Sequence, residues 1–354
     1  MAATEYGVNH PLAVKHWSKD LMKEALKKTH ALKFMGSGAN SLCQIKTEMN
    51  KEAGDRVRFG LRVQLQGDGV SGDGTLEGNE EALTTYYDEV TIDQLRHAVR
   101  SKGKMSEQRV PFSVRAEGRD GLSDWWSDRL DAAFFNQLAG NTAVSDVRYT
   151  GMIATAAPDS DHWIVQNQTA EASLGASDTF TLSIIDKCIE RAETFGKGSA
   201  DFPDSMPMRP VRIGGEEYYV MFLHPYQITD LRTNTNTGQW LDIQKAAMQG
   251  GKVADNPIFT GALGMYNNTI LHAASRIPSV QANTRRAVFC GAQAATLAFG
   301  QESGKNTYSW KEEYFDYENQ LGIAAGTIFG MKDTRFNSKK FGSIVVSTYA
   351  VKHS

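Results

Sequence analysis

The chain has 354 residues, of which 41% are hydrophobic and 22% are charged, and its formal net charge is −3. This composition excludes an intrinsically disordered chain, and it supplies no basic excess for tight binding of nucleic acid. No apolar run reaches the ~20 residues that a membrane-spanning helix needs, so we expect no membrane partner. A chain of this length favours about two domains.

The N-terminal sequence and the cysteines both indicate a reducing compartment. The first residues lack the charged start and apolar core of a secretory signal, which predicts synthesis in a cytoplasm. Cys43, Cys188 and Cys290 lie far apart in the sequence. We expect buried free thiols, and the lack of a Cys-x-x-Cys motif argues against a cysteine zinc site.

The first half of the chain predicts a helix followed by a long two-stranded arm. Apolar residues at near-helical spacing predict an amphipathic helix over 11–34, which packs on its own domain or on a neighbour. Strict alternation over 55–66 predicts a long strand with one wet face. The Thr-, Tyr- and Val-rich segment 83–95 is its expected return partner. The two strands predict an extended hairpin with its tip between them.

The second half mixes helices and strands without a β-α-β rhythm, which favours an α+β fold. Apolar stripes predict helices over 120–139 and 178–195, and three prolines in 199–210 suggest a domain boundary. Further elements are predicted in chain order: a strand at 218–223, short helices at 224–234 and 238–249, and strands at 265–274, 285–290 and 341–351.

The hairpin tip, "QLQGDGVSGDGTLEGNEEAL" (64–83), contains a G-x-G-x-x-G motif at Gly67, Gly69 and Gly72. In a dinucleotide-binding fold this motif joins a buried strand to a helix that holds the pyrophosphate. Here the preceding strand is half polar, and more glycines follow where a helix should begin. Three nearby acids would also repel a diphosphate; they are Asp68, Asp73 and Glu77. The motif therefore predicts a flexible polar loop.

Other chemical motifs are equally weak. The segment "FGQESGKN" (299–306) is one residue short of a phosphate-binding loop. The acidic tip lacks the EF-hand spacing of a calcium site, and the histidines are scattered. The sequence therefore predicts no catalytic residue, no cofactor and no metal.

Several charged and aromatic residues remain as candidates for contacts between subunits. The basic rows Arg56, Arg58, Arg62 and Arg96, Arg100, Lys102, Lys104 are either solvated faces or partners of acids on another copy. Tryptophan is frequent in cores and at interfaces, which makes the adjacent pair a candidate for both. The candidate interface residues are Arg56, Arg58, Arg62, Asp68, Asp73, Glu77, Trp125 and Trp126.

The order of these parts resembles the major capsid proteins of tailed double-stranded DNA bacteriophages, which have the Hong Kong 97-type fold. The resemblance rests on the extended hairpin, on "SVRAEGRDGLSDWWSDRLDAAFFNQLAG" (113–140), and on "NPIFTGALGMYNNTILHAASRIP" (256–278) and "VFCGAQAATLAFG" (288–300). It implies five parts: an N-terminal arm (1–50), an extended loop (51–95), a spine helix with the peripheral domain (96–200), an axial domain (201–320) and a return to the peripheral domain (321–354).

This resemblance implies a structural subunit, not an enzyme, that assembles into the icosahedral shell around the phage genome. Its implied partners are itself in hexamers and pentamers, scaffolding, portal and possible decoration proteins, and packaged double-stranded DNA through weak non-specific contacts. Neither a coiled-coil scaffold segment nor a lysine–asparagine pair for covalent cross-links is identified in the sequence. The alternatives are a nanocompartment shell of the same fold and a nucleotide-dependent enzyme that uses Gly67–Gly72.

Overall fold

The computed structural model describes residues 30–47, 55–62, 69–83, 85–110, 113–196, 201–202, 205–234, 262–300 and 308–353. The α-helices are α1 (Lys104–Gln108), α2 (Val114–Ala139), α3 (Leu182–Thr194) and α4 (Pro225–Thr233). The strands are β1 (Met35–Gly36), β2 (Cys43–Lys46), β3 (Arg56–Arg62), β4 (Thr85–Thr91), β5 (Asp93–Arg100), β6 (Trp163–Val165), β7 (Val211–Ile213), β8 (Glu216–Leu223), β9 (Ala262–Tyr266), β10 (Thr269–Ala273), β11 (Thr284–Cys290), β12 (Ala295–Phe299), β13 (Ser309–Phe315), β14 (Gln320–Asp333), β15 (Arg335–Phe336), β16 (Lys339–Lys340) and β17 (Ser343–Tyr349).

Most predicted elements that fall within the described residues are present. The predicted helix over 11–34 lies mainly outside them, with a 3₁₀ turn at His30–Phe34, and the predicted helix at 238–249 lies wholly outside. The predicted strand at 265–274 is instead the hairpin β9–β10. Its turn residues Asn267 and Asn268 have φ of 44° and 55°, a conformation that asparagine tolerates in tight hairpin turns.

The first compact unit draws on the ranges Met1–Val57, Val90–Ala156 and Ala295–Lys332. Its six-stranded sheet has the order β1-β2-β12-β14-β13, and β5 also pairs with β14. The helix α2 packs against β5, β12 and residues 30–34. Its apolar stripe is fully buried, which explains why this segment forms the core of the unit; the stripe includes Leu122, Trp126, Leu130, Phe134 and Leu138.

The helix α2 is longer than the pattern at 120–139 predicts. It begins after Ser113, whose side chain accepts a hydrogen bond from the Ala116 N–H, and it ends at Gly140, which has φ of 61°. Glycine weakens a helix by about 1 kcal/mol relative to alanine, so Gly118 and Gly121 hide the first turns from sequence analysis. Contacts with the rest of the unit stabilise these first turns. One of them is the ion pair between Arg115 and the buried carboxylate of Glu312, 2.8 Å apart.

The second compact unit draws on Arg58–Glu89, Ala157–Ala294 and Asp333–Ser354. Its seven-stranded sheet has the order β6-β17-β11-β8-β10-β9, with β7 paired to β8. The strands β17 and β6 are parallel, and β17 and β11 are antiparallel. Residues of α3 and of this sheet share one buried core, which includes Ile185, Ile189, Met221, Phe289 and Ile344.

The two compact units group the chain differently from the five predicted parts, whose assignment stays a prediction. The proline-rich segment 199–210 does not separate them, since Met208 lies in the same core as α3. Residues 295–320, predicted in the axial domain, belong to the unit that contains α2. The physical reason is strand pairing between distant segments, such as β12 with β2, which no local sequence pattern encodes.

Candidate assembly surface

The predicted extended hairpin is present as the two-stranded sheet β3–β4. The alternation of its first strand is confirmed: Val57 is buried and Phe59 half-buried, while Arg56 and Arg58 are exposed. The Ile92 N–H donates to the Asp55 carbonyl at 2.9 Å, which closes the hairpin at its base. The hairpin thus has one face that packs and one face that meets solvent.

The basic residues of β3 are less available than the sequence suggests. The Arg58 Nε donates to the Glu89 carboxylate at 3.0 Å, and its guanidinium lies 5.8 Å from the centre of the Tyr87 ring. The Arg56 side chain is 51% exposed and lies 4.0 Å from the Asp55 carboxylate. The side chain of Arg62 lies outside the described residues. Arg58 therefore has a partner within its own hairpin, and its role between subunits stays a prediction.

The tip of the hairpin, residues 69–83, is exposed at every position. Asp73 and Glu77 lie in this segment, whereas Asp68 and Gly67 lie outside the described residues. Leu76 is 62% exposed and Leu83 is 63% exposed, so two large apolar side chains of the tip meet solvent. The tip therefore combines acidic and apolar groups that have no burial within the described part of the chain.

The described glycines of the tip adopt backbone conformations that favour glycine. Gly69, Gly72 and Gly78 have φ of 70°, 62° and 89°, values that favour glycine. The next element along the chain is the strand β4 and not a helix, so no helix N-terminus follows the motif. This geometry does not fit the dinucleotide-binding alternative.

The base of the hairpin is anchored to the short hairpin β15–β16. Asp88 of β4 is buried, and its carboxylate accepts a hydrogen bond from the Arg335 N–H at 2.9 Å. The rings of Phe59 and Phe336 meet edge-on with centres 6.1 Å apart. Phe336 also packs against Phe341, with ring centres 5.2 Å apart. A polar and an aromatic contact thus fix where the exposed arm leaves the second unit.

A buried ion cluster, formed by Asp333, Arg335 and Lys340, holds this short hairpin in place. The Asp333 carboxylate lies 2.8 Å from the Arg335 Nε and 3.1 Å from the Lys340 Nζ. Burial raises the pKa of Asp333, but the two adjacent cations outweigh it and hold that pKa below its usual range. Burial lowers the pKa of Lys340, and the Asp333 charge offsets only part of this effect.

Two further carboxylates bind the same short hairpin. Asp159 accepts hydrogen bonds from the Lys340 N–H at 2.9 Å and from His162, whose Nδ1 lies 2.8 Å away. Burial raises the pKa of Asp159, yet the His162 and backbone hydrogen bonds bring it below the usual range. Asp161 pairs with Lys339 and Ser205, and its pKa is also lowered, against the opposing effect of burial.

These two carboxylates predict a loss of stability in acid. An aspartate whose pKa is lowered on folding stabilises the protein above its unfolded value of about 3.9, and this contribution disappears as the pH falls through the folded value. We expect the contribution of Asp159 and Asp161 to the urea midpoint of the full chain to stay nearly constant from pH 7 to 5. Below pH ~4 the midpoint should fall as this contribution is lost. The Asp159→Asn variant should show a smaller fall of the urea midpoint in acid than the wild-type chain. The same pH dependence in both chains would contradict the role of Asp159.

The tryptophan pair divides into one core residue and one surface residue. Trp126 is fully buried, and its ring meets Tyr308 and Phe329 edge-on at 5.1 Å and 6.0 Å. Trp126 is therefore a core residue in this conformation, in line with the core alternative, and a role between subunits stays a prediction. Trp125 is half-buried and stacks on His97 with ring centres 4.5 Å apart, so it stays a candidate.

The residues that anchor the arm were not among those predicted from the sequence. Asp88 lies two positions before buried Val90, on the face of β4 that packs, and an acid on such a face is a usable signal. Lys340 follows the polar turn Asn337–Lys339, where a charged side chain normally meets solvent. Its complete burial depends on a partner that only the fold brings near.

The described residues offer little else for chemistry. They contain no group of three or more His, Cys, Asp or Glu side chains placed to hold a metal ion. Cys43, Cys188 and Cys290 are buried and free, which confirms the prediction for the thiols, and burial raises the pKa of Cys43 to about 12. Among the described helices, none is both long enough and apolar enough to cross a membrane.

Comparison with known proteins places this arrangement in one class, the shell proteins of bacteriophages. The family model described as phage capsid protein matches residues 5–352. The major capsid protein of Pseudomonas phage KPP25 is 28% identical over 373 residues, with 93% of each chain covered. The capsid of Ralstonia phage GP4 is 36% identical, covers 100% of both chains and has a TM-score of 0.80. The chain belongs to the phage capsid protein family.

A more distant structure agrees in fold. The Cyanophage Pam1 capsid asymmetric unit has a TM-score of 0.72 at 18% identity and covers 100% of this chain and 95% of that chain. The predicted α+β class and the capsid fold are confirmed. The chain is a structural shell subunit, and no comparison favours a nanocompartment protein or a nucleotide-dependent enzyme.

Proposed function

We propose that this subunit assembles, as hexamers and pentamers, into a closed icosahedral shell around packaged double-stranded DNA. The hairpin β3–β4 serves as the arm that reaches a neighbouring subunit. One observation carries this proposal: every described residue of the tip 69–83 is exposed, and it includes Leu76 and Leu83. Apolar side chains on an arm with an anchored base gain burial when a second copy covers them.

The anchored base supports the same role. A flexible tip on a loose hairpin would lose much of its binding free energy to ordering. Here the Asp88–Arg335 hydrogen bond and the Phe59–Phe336 contact fix the base before assembly. The tip can therefore sample a neighbour's surface from a fixed origin, which lowers the entropic cost of each contact.

The other partners follow from charge and class. A net charge of −3 favours weak, non-specific contact with DNA, since tight binding needs many cations on phosphates.

Scaffolding, portal and possible decoration proteins are the expected partners of a phage shell. Assembly in the host cytoplasm agrees with three free buried thiols, and the subunit has no catalytic role. The unit with α2 corresponds to the peripheral domain, and the other to the axial domain.

Sedimentation of the purified full chain tests this function. We expect a shift, as the protein concentration rises, from single subunits to hexamers, pentamers or shells. A scaffolding protein is added if the subunits alone do not form closed shells. Removal of nucleic acid by nuclease should leave this self-association in place, because the contacts are between protein surfaces. A chain that stays monomeric at high concentration, with and without scaffold, would contradict the proposal.

A further inference from the structure

The strand β5 is an exposed edge of the sheet in the first unit. Within the described part of the chain it pairs only with β14, from Asp93 to Arg100. Leu95 is its one buried residue, and the other seven positions are exposed. One face of β5 packs against α2, but its outer side is unpaired within the described residues, so this edge offers backbone and side-chain groups to another chain.

This edge is strongly basic. Exposed cations recur along residues 96–104, here called the basic edge, and no acid interrupts them. The Arg100 guanidinium lies 4.1 Å from the centre of the Phe315 ring, which holds its position while leaving its charge unneutralised. Within the described part of the chain, Arg96 and Arg100 form no ion pair. The cations of the basic edge are Arg96, Arg100, Lys102 and Lys104.

The hairpin tip has the complementary charge. Residues 69–83, here called the acidic segment, contain no lysine, arginine or histidine. Every position of this segment is exposed. The charged part runs from residue 73 to residue 81, and the charged part of the basic edge runs from 96 to 104, so each covers nine residues. The acids are Asp73, Glu77, Glu80 and Glu81.

We propose that the acidic segment of one copy docks along the basic edge of a second copy. This inference rests on the proposed shell function and identifies the surface that receives the arm. The N-terminal sequence 1–29 fits the basic edge less well, because it contains more lysines than acids. Single exposed ion pairs are weak, so the docking depends on several pairs per subunit and on their repetition around the shell.

Charge reversal tests the pairing. We expect Arg96→Glu/Arg100→Glu to reduce shell yield about tenfold in low salt, because like charges then face each other. Asp73→Lys/Glu77→Lys should reduce the yield by a similar factor. The variant with all four changes should recover most of the wild-type yield. The control is Lys187→Glu/Lys311→Glu, which makes the same change in net charge at two other exposed sites and should assemble normally.

Melting of the unassembled subunits shows whether each variant folds. For any variant that does not fold, a second measurement replaces it. Copies with Glu77→Cys are mixed with copies that carry Arg100→Cys, and shells are assembled under mild oxidation. A disulfide between the two kinds of copy, absent when either kind is alone, is the expected result. The native cysteines are buried and do not compete.

Several outcomes would overturn the inference while the shell function stands. These are wild-type yield in the Arg96→Glu/Arg100→Glu variant, an equal loss in the control, or no recovery in the four-fold variant. Loss of binding to double-stranded DNA with unchanged shell yield would assign the basic edge to the genome instead. Failure of the wild-type chain to form any assembly would overturn the shell function itself.

Discussion

Replacing Asp333 by asparagine is expected to lower the free energy of unfolding by about 3–5 kcal/mol. Asp333 is the carboxylate that neutralises both Lys340, whose side chain is fully buried, and Arg335. Asparagine keeps the shape but removes the negative charge, so the buried Lys340 and the partly buried Arg335 lose this counter-charge. Because this cluster holds the hairpin that anchors Asp88, we also expect the arm to lose its fixed base and shell yield to fall.

Urea unfolding of the full chain measures this effect. The loss of stability in Asp333→Asn should shrink between pH 7 and 9, because without Asp333 the burial of Lys340 and the nearby Arg335 charge lower the pKa of Lys340 further. A base whose pKa is lower in the folded state gains stability as the pH rises. The matched control is Asp73→Asn at an exposed position, with a change within about 0.5 kcal/mol. A similarly small change in Asp333→Asn would show that the buried ion cluster contributes nothing to the fold.

Replacing residues 67–80 by an Asn-Gly turn should abolish most shell formation and leave the subunit folded. A two-residue Asn-Gly turn matches the twist of paired strands, so the shortened hairpin can still close. The segment that is removed has no buried residue within its described part, and exposed tips contribute little to a core. Its contacts with neighbours, in contrast, are repeated in every subunit of a shell.

Comparison of subunit melting with shell yield by electron microscopy measures both halves of this prediction. A variant of full length with Asp73→Asn and Glu77→Gln serves as the control, since it separates the loss of charge from the loss of reach. High salt should weaken wild-type shells in the same direction as this control, because salt screens exposed ion pairs. A normal shell yield from the shortened chain would show that the arm does not contribute to assembly. An unfolded subunit would show that the tip is part of the core.

Sequence periodicity was sufficient for elements with a strong local pattern. The apolar stripe of α2, from Leu122 to Leu138, follows the helical period, and the alternation from Arg56 to Phe59 follows the pleat of a strand. Each pattern arises because one face of the element is buried, so the spacing of apolar residues along the chain is enough to identify that face. The hairpin and its exposed tip could be predicted for the same reason.

The division into units could not be predicted in this way. The strand β2 pairs with β12, and β17 pairs with β6, so each contact joins segments that are more than 170 residues apart (for example Cys43 with Ala295 and Val345 with Trp163). Such pairings depend on the whole topology. Local signals such as the prolines of 199–210 mark a turn in the chain, and they do not mark which segments share a core.

The candidate assembly surface was only partly visible in the sequence. The tip acids Asp73 and Glu77 are exposed as predicted, because a glycine-rich polar loop has nothing to bury. Arg58 has a partner on β4, and Trp126 lies in the core, since both outcomes depend on neighbours that the fold supplies. Lys340, for which the sequence made no prediction, is buried beside Asp333.

Electron microscopy of shells assembled from the purified wild-type chain tests the central claim most directly, namely that the subunit closes into a shell through its extended arm. We expect closed particles of uniform size in which residues 69–83 of each subunit lie on a second copy. Particles in which this segment touches only its own chain would contradict the role of the arm. The absence of closed particles under all conditions, with and without scaffold, would contradict the shell function.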